Sequence, residues 1–389
     1  MQKLVFISSL PISKLFGEKL DAWWFANNGF DVEFWDLARL FYPAEGLRSY
    51  FGGANDYRYI GPGHRVFEHP EPFLQALGAL GRDAAVWHLS RFYKSVPDDW
   101  VFAELQQRAI PFYLQHFDTM VEPLQFTQKV RAGLTARKQR LLNRKLLPKG
   151  IVGSGRLGRK QARLVFPNAH FVSIPSIKVR WQPSAPLVEG SYNLFVDESV
   201  DYAPDAKMLG RTICNDPDAY YARLNRLFDD IEQWSGVPFV IAASGKYHYK
   251  RDRFNGRRLV YGETLPLIQH AQMVVGHMSL ALDQCLVSKK PVLIVDDPNF
   301  TEAKRRGFPA SLVHGVAKPV LVTEVARSVY LKSLSLRTEL IDQLVCDYLR
   351  EDEVSSDYYS ILRRELSEPR FSGTGVITAY KSRTAAVAK

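Results

Sequence analysis

Residues 262–295, GETLPLIQHAQMVVGHMSLALDQCLVSKKPVLIV, decide the fold, because apolar runs alternate there with turn residues in the strand–helix–strand order of a parallel α/β sheet. Positions 265–270 read as one or two helical turns, 273–276 as a buried strand, 280–287 as a helix and 291–295 as a second buried strand. Strands joined through a helix, with no hairpin turn between them, form a parallel pair with the helix packed on one face. At Gly276-His277-Met278-Ser279 strand gives way to helix, so backbone N–H groups and the positive end of a helix dipole gather at that point. His277 and the Ser279 hydroxyl add side-chain donors, and Gly276 allows close backbone approach. That set suits a phosphate; the plainer alternative is that His277 and Ser279 cap the helix.

Upstream the same grammar repeats. Residues 238–243, PFVIAA, form a buried strand, and SGKYHYKR at 244–251 follows at its C-terminal end. Lys246, His248, Lys250 and Arg251 in that loop can hold a phosphate or a carboxylate, or make a solvated turn. Residues 191–197, SYNLFVD, are a strand ending in Asp197, where an open α/β sheet places its ligand crevice. A carboxylate there can serve as nucleophile or general base, or simply cap the strand end. The 217–236 stretch is a long amphipathic helix with Asp216 as N-cap and Gly236 as its stop. A Pro-containing bridge at 181–186 precedes this half. Before it, 4–7, 32–34, 84–88, 111–115 and 149–152 are strand candidates separated by helical or turn sequence. The expected fold is α/β: two tandem Rossmann-like domains facing a central cleft. Residues 1–182 make the first, 190–366 the second, and 367–389 a polar, small-residue tail expected to be mobile.

The first half has its own candidates. GIVGSGRLG at 150–158 sets Gly153-Ser154-Gly155 after an apolar strand and before Arg156 and Arg159, a second loop able to cradle an anion or merely to turn the chain. Gly153, Gly155 and Gly158 match a dinucleotide-binding register, but no Asp or Glu occurs until Glu189, so the acidic partner of that motif is missing. Glu122, in MVEP after the 111–115 strand, is the counterpart of Asp197 in this half. From 123 to 188 the chain has fourteen basic residues and no acidic one; the remainder carries 37 basic against 41 acidic residues. All of the net charge of +10 therefore resides in one segment, which calls for a local anionic partner. Within it, 129–149 interleaves leucines with bases at roughly helical spacing, as in a helix on an anionic membrane face or one packed on its own domain. Nucleic acid is disfavoured, since aromatics for base stacking stand only at the edges, Phe126 and Phe166.

Composition closes off other classes. The chain has 389 residues, 46% hydrophobic and 24% charged, enough to bury two cores and too apolar to be disordered. No apolar run reaches the roughly 18 residues that span a bilayer. Three scattered cysteines, Cys214, Cys285 and Cys346, give neither a disulfide framework nor a CxxC metal site, and point to a reducing, cytoplasmic setting. HExxH, GxSxG and Walker motifs are absent.

Together, the strand at Asn193-Leu194-Phe195-Val196-Asp197, the loop carrying His248, the run FNGRRLVYGET at 254–264, His277-Met278-Ser279 and the KKPVLIV strand resemble the nucleotide-binding half of GT-B glycosyltransferases. The pattern looks most like that of bacterial retaining β-Kdo transferases, which draw on CMP-Kdo to build capsule, O-antigen and related polysaccharides. One position departs from that family: Tyr249 stands where it has proline after the histidine. The resemblance implies a donor of CMP-Kdo or a related CMP-sugar, a glycan or glycolipid acceptor, and no metal or other cofactor. It implies Asp197 as the carboxylate that forms a covalent glycosyl adduct, with Glu122 and His248 completing the catalytic set. Gly276, His277, Ser279, Lys246, Arg251, Thr264 and the Gly153-Ser154-Gly155 turn then hold the donor. It places the enzyme in the cytoplasm or at the inner membrane face. A UDP- or GDP-hexose transferase, a sugar-nucleotide epimerase of the same fold, and a non-catalytic glycan-binding relative are the alternatives.

Overall fold

The computed structural model describes residues 2–13, 22–50, 63–81, 83–89, 99–115, 147–180, 185–208, 210–305, 312, 316–351 and 358–367. Two parallel sheets carry the chain. The first runs β1 (Gln2–Ser8), β2 (Phe30–Asp36), β3 (His64–Val66), β4 (Ala85–His88), β5 (Phe112–Gln115), β6 (Gly150–Gly153) and β7 (His170–Ser173), in spatial order β3-β2-β1-β4-β5-β6-β7. The second runs β8 (Asn193–Val196), β9 (Phe239–Ala243), β10 (Arg258–Tyr261), β11 (Val274–Gly276), β12 (Val292–Asp296) and β13 (Val320–Leu321), ordered β10-β9-β8-β11-β12-β13. Both orders reverse direction beside their first strand, between β1 and β4 and between β8 and β11. At such a switch point adjacent crossovers leave to opposite faces and a crevice opens. The two tandem Rossmann-like domains expected from the sequence are there.

Each sheet is covered on both faces, which is why its strands read as unbroken apolar runs. Leu194 and Val196 of β8 face one core with Val240, Ala242, Val274 and Ile294. Phe195, between them, faces the other with Ile241, Val275 and Leu293. In β1, Val5 and Ile7 likewise oppose Leu4 and Phe6. The helix Pro217–Ser235 begins as its sequence dictates, Asp216 accepting from the Ala219 N–H at 3.0 Å, and ends at Gly236 in the left-handed region at φ 70°.

Three features differ from expectation. β3, β7 and the two-residue β13 are not among the strand candidates of the sequence, the first two being short and bearing polar residues such as His64 and His170. The single helix expected at 280–287 is a 3-10 turn, Leu280–Asp283, followed by a four-residue α-helix, Gln284–Val287. The helix Tyr358–Ser367, assigned from sequence to the second domain, belongs to the first: Leu362 and Leu366 enter the core containing Phe6, Phe25 and Trp87. Tyr113 Oη donates to the Glu365 carbonyl at 2.6 Å, and Trp24 stacks on Tyr359 with ring centroids 4.2 Å apart.

Candidate functional site

Asp197 follows directly on β8, at the C-terminal edge of the second sheet beside the switch point. Its N–H still pairs with the Ala242 carbonyl of β9 at 3.1 Å, so the strand's geometry fixes where the side chain starts. The carboxylate then closes a local turn. Oδ1 accepts from the Ser199 N–H at 3.0 Å and Oδ2 from the Ser199 hydroxyl at 3.4 Å, with Ser199 in the left-handed region at φ 51°. Asp197 is only 5% exposed. Burial pushes its pKa up from 3.8 to about 7, further raised by Glu198 and Asp201 and opposed by hydrogen bonds from Tyr249 and Ser199. A carboxyl that titrates near neutrality at a cleft edge can move a proton or, once ionised, attack an electrophile.

Tyr249, the departure from the family pattern, reaches this carboxylate. Its hydroxyl donates to Asp197 Oδ2 at 2.7 Å and lies 2.9 Å from the Tyr221 hydroxyl. Tyr221 in turn stands 3.2 Å from Asp201 Oδ1, and Arg253 grips Asp201 Oδ2 through Nε at 3.0 Å and Nη2 at 2.7 Å. Glu198, beside Asp197, is ion-paired with the buried Lys304. The sequence signals only part of this cluster: the Asp-x-Ser spacing of 197–199 marks a turn, while Tyr221 and Tyr249 are joined by tertiary structure alone.

The turn after β11 plays another role than expected. His277 is buried with both ring nitrogens used inside the protein: Nδ1 lies 2.6 Å from the Val295 carbonyl and Nε2 2.7 Å from the Tyr220 hydroxyl. A carbonyl can only accept, so Nδ1 carries the proton and Nε2 accepts from Tyr220. Burial lowers its pKa to about 3, so the ring is neutral. Edge-on contacts with Phe195 and Phe300 complete a core histidine, not a phosphate donor. Ser279 caps the 3-10 turn, accepting from the Ala281 N–H at 3.3 Å. A Cβ on Gly276 would stand 2.9 Å from the Leu282 side chain, so that glycine serves internal packing. With only a 3-10 turn after it, the site has no helix dipole of consequence.

The remaining donor-site candidates scatter. Lys246 crosses between domains, its Nζ 2.9 Å from the Tyr50 hydroxyl and 4.6 Å from the ring centroid. Arg251 is exposed and paired with Asp218 at 2.6 Å. His248 is exposed, its ring 4.5 Å from that of Tyr261. Thr264 is half-buried at the first position of the helix Thr264–His270. Glu122, the 129–149 stretch and all but the first residue of the 367–389 tail fall largely or wholly outside the described residues; of 129–149 only the last three positions are described.

The Gly153-Ser154-Gly155 turn is a domain contact and not an anion cradle. Gly155 has φ 72°, and a Cβ there would lie 2.4 Å from the Asp347 carbonyl oxygen and 2.7 Å from the Tyr348 Cα. The C-terminal end of the helix Thr338–Tyr348 fills the space a ligand would need. Arg156 pairs with Asp347 at 3.0 Å and Arg159 with Glu351 at 2.5 Å, while Lys178 pairs with the fully buried Asp283 at 3.3 Å. Part of the acid-free segment's charge is thus answered by carboxylates of the other domain. Arg156, Arg159, Lys160, Arg163 and Leu164 also line a hollow of about 360 Å³. Among the described residues no cluster of three or more His, Cys, Asp or Glu gathers for a metal, and no helix is long and apolar enough to cross a membrane.

No protein-family model and no curated protein matches the chain. Solved structures do match. The Arabidopsis thaliana UGT89C1 complex with UDP aligns with TM-score 0.52 at 10% identity, over 95% of this chain and 99% of that one. The S. aureus MnaA–UDP structure gives 0.50 at 12% identity, over 94% and 95%. The wall teichoic acid polymerase TagF gives 0.50 at 8% identity, over 94% and 87%. The fold is GT-B. At these identities the likeness is one of architecture, and in GT-B terms Asp197 lies on the cleft-facing edge of the second domain.

Proposed function

We propose that this protein is a glycosyltransferase that binds a nucleotide-activated sugar at the C-terminal edge of the second sheet and delivers the sugar to an acceptor held against the first. The observation that carries this reading is Asp197: a buried carboxyl beside the switch point of a GT-B cleft, pushed up to about 7 by its surroundings. Structural neighbours that hold UDP support a nucleotide donor.

For the donor we favour a CMP-linked ulosonic acid such as Kdo, on the resemblance of 191–295, with a bacterial surface polysaccharide or glycolipid as acceptor. Ionised Asp197 would attack the anomeric carbon, forming an ester-linked glycosyl adduct as CMP departs with the bonding pair as a phosphate monoester. The acceptor hydroxyl would then displace the Asp197 carboxylate and lose its proton to a base, giving net retention. A ulosonic acid brings its own carboxylate, and Lys246, at the domain junction, is the cation we assign to it. A UDP-sugar donor is the second reading, favoured by the UDP complexes among the neighbours.

Thermal-shift titration with CMP, UDP and GDP separates these readings, because a ligand of the native state raises Tm by mass action. A shift with CMP alone supports the ulosonic acid donor. A shift with UDP or GDP moves the assignment to a hexose donor, and silence from all three overturns the transferase reading. With CMP-Kdo, intact mass should show the adduct on the wild type and none on Asp197→Asn, whose turnover should fall by a factor on the order of 10³ or more while its Tm holds. Loss of Tm together with turnover would make Asp197 a structural residue.

A further inference from the structure

We infer that Tyr249 and Tyr221 form a two-hydroxyl proton path joining the Asp197 carboxyl to the carboxyl of Asp201. Three gaps lie in series: 2.7 Å from Asp197 Oδ2 to Tyr249 Oη, 2.9 Å from Tyr249 Oη to Tyr221 Oη, and 3.2 Å from Tyr221 Oη to Asp201 Oδ1. Each is a hydrogen-bonding distance, and hydroxyls both donate and accept. At the far end the Asp201 side chain is 14% exposed, so water can take the proton there, while Arg253 holds that carboxylate in place beside Asp218.

Counting protons gives the chain its function. With both carboxylates ionised, two hydroxyl protons serve three gaps, and one gap holds no proton. When Asp197 is protonated, three protons fill three gaps, running Asp197 to Tyr249 to Tyr221 to Asp201. From that filled state each hydroxyl passes its proton onward while accepting the one behind it. The net result is one proton moved from Asp197 to Asp201 and one negative charge moved back, with no tyrosinate formed and no other reactant needed. Neither hydroxyl ionises on its own, because burial raises both pKa values well above 10.

The groups around Asp197 leave few competing routes. Ser199, Glu198 and Asp201 share its loop; Tyr220 and Tyr221 face it from Pro217–Ser235; Tyr249 and Arg253 come from the loop after β9. Glu198 is committed to Lys304, and neutral His277 to Tyr220 and Val295. The path lets a carboxyl that is only 5% exposed shed its proton without itself meeting solvent. Its consequence for turnover rests on the reading of Asp197 as the reacting group; the path itself does not.

The test is a carboxyl titration by 13C NMR of the full chain labelled at aspartate, with the Asp197 signal assigned by its loss in Asp197→Asn. Tyr249→Phe removes the charge-assisted bond to the ionised form and should raise the Asp197 pKa by about one unit. Tyr221→Phe should lower it instead, because the protonated form loses its filled chain while the ionised form keeps Tyr249. Both variants retain their rings and hence the packing with Phe254. Movement in the same direction, or no movement in Tyr249→Phe, overturns the path. Opposite shifts uphold it even if no nucleotide sugar is turned over, which would sink the transferase reading alone. With turnover in hand, the acid limb of the kcat profile in Tyr249→Phe should follow its titration upward.

Discussion

His277 illustrates how a polar residue at a strand end becomes part of a core. Its ring spends both nitrogens on Tyr220 and Val295, and its low pKa keeps it neutral well below ordinary histidine pH. His88, fully buried at the end of β4, is depressed to about 3 by the same cause. Between about pH 6.5 and 3 the unfolded chain therefore binds protons at both positions that the native chain does not. Stability contributed by the two histidines is fully present above 6.5 and lost as pH falls toward 3. Asp197 works the other way, its raised pKa costing stability as pH rises from 3.8 toward 7. Two groups oppose one, so between about pH 6.5 and 4.5, above the range where the depressed Glu33 and Glu351 carboxylates contribute, unfolding free energy from urea melts should fall on acidification by at most about 1.4 kcal/mol per pH unit. His277→Phe should lower stability at pH 7, by leaving the Tyr220 hydroxyl and Val295 carbonyl unmatched, and flatten the slope. An unchanged slope would mean that His277 is charged in the native state.

At the scale of elements, legibility followed locality. Pro217–Ser235 could be read end to end because its stop and start signals, Asp216, Pro217 and Gly236, sit within the helix's own sequence. Asp216→Ala should cost about 1 kcal/mol, seen as a small drop in Tm without loss of binding. Gly155 shows what local reading omits. In sequence it belongs to a glycine-rich phosphate motif; in the structure its missing side chain admits the backbone of Asp347 and Tyr348, some 190 residues away. Gly155→Ala should therefore disturb domain docking far more than the cap variant disturbs its helix, and proteolysis between the domains should quicken. If both variants melt alike, the close approach at Gly155 is not maintained in solution. The apolar spacing of Leu280–Val287 fits a single helix, yet Ser279 caps only a 3-10 turn. Tyr249 was visible in sequence as a substitution, but its partners Asp197 and Tyr221 lie 52 and 28 residues away, a distance no periodicity bridges.

For the whole molecule, the unequal charge distribution is partly an internal device. Arg156 and Arg159 meet Asp347 and Glu351 at a partly exposed junction, whereas Lys178 meets Asp283 where solvent is excluded. The two kinds of pair should respond differently. Arg156→Ala should shift stability by less than about 1 kcal/mol and be masked by salt. Lys178→Met leaves the buried Asp283 without its lysine and should cost about 3–5 kcal/mol at any ionic strength. Equal salt dependence in both would refute the assignment of Lys178–Asp283 to the dry interior.

The helix Tyr358–Ser367 gives the molecule a mechanical property that sheet order alone does not convey. The chain leaves the first domain after β7, builds the second, and returns to bury Leu362 and Leu366 beneath β1. Two bodies joined by one covalent strand can swivel about any axis through the joint. Joined by two, they can separate no further than the crossings allow unless the returning helix leaves its core. Wide separation of the domains therefore costs the burial of Leu362 and Leu366 as well as the contacts between the domains, which limits how far the cleft can open.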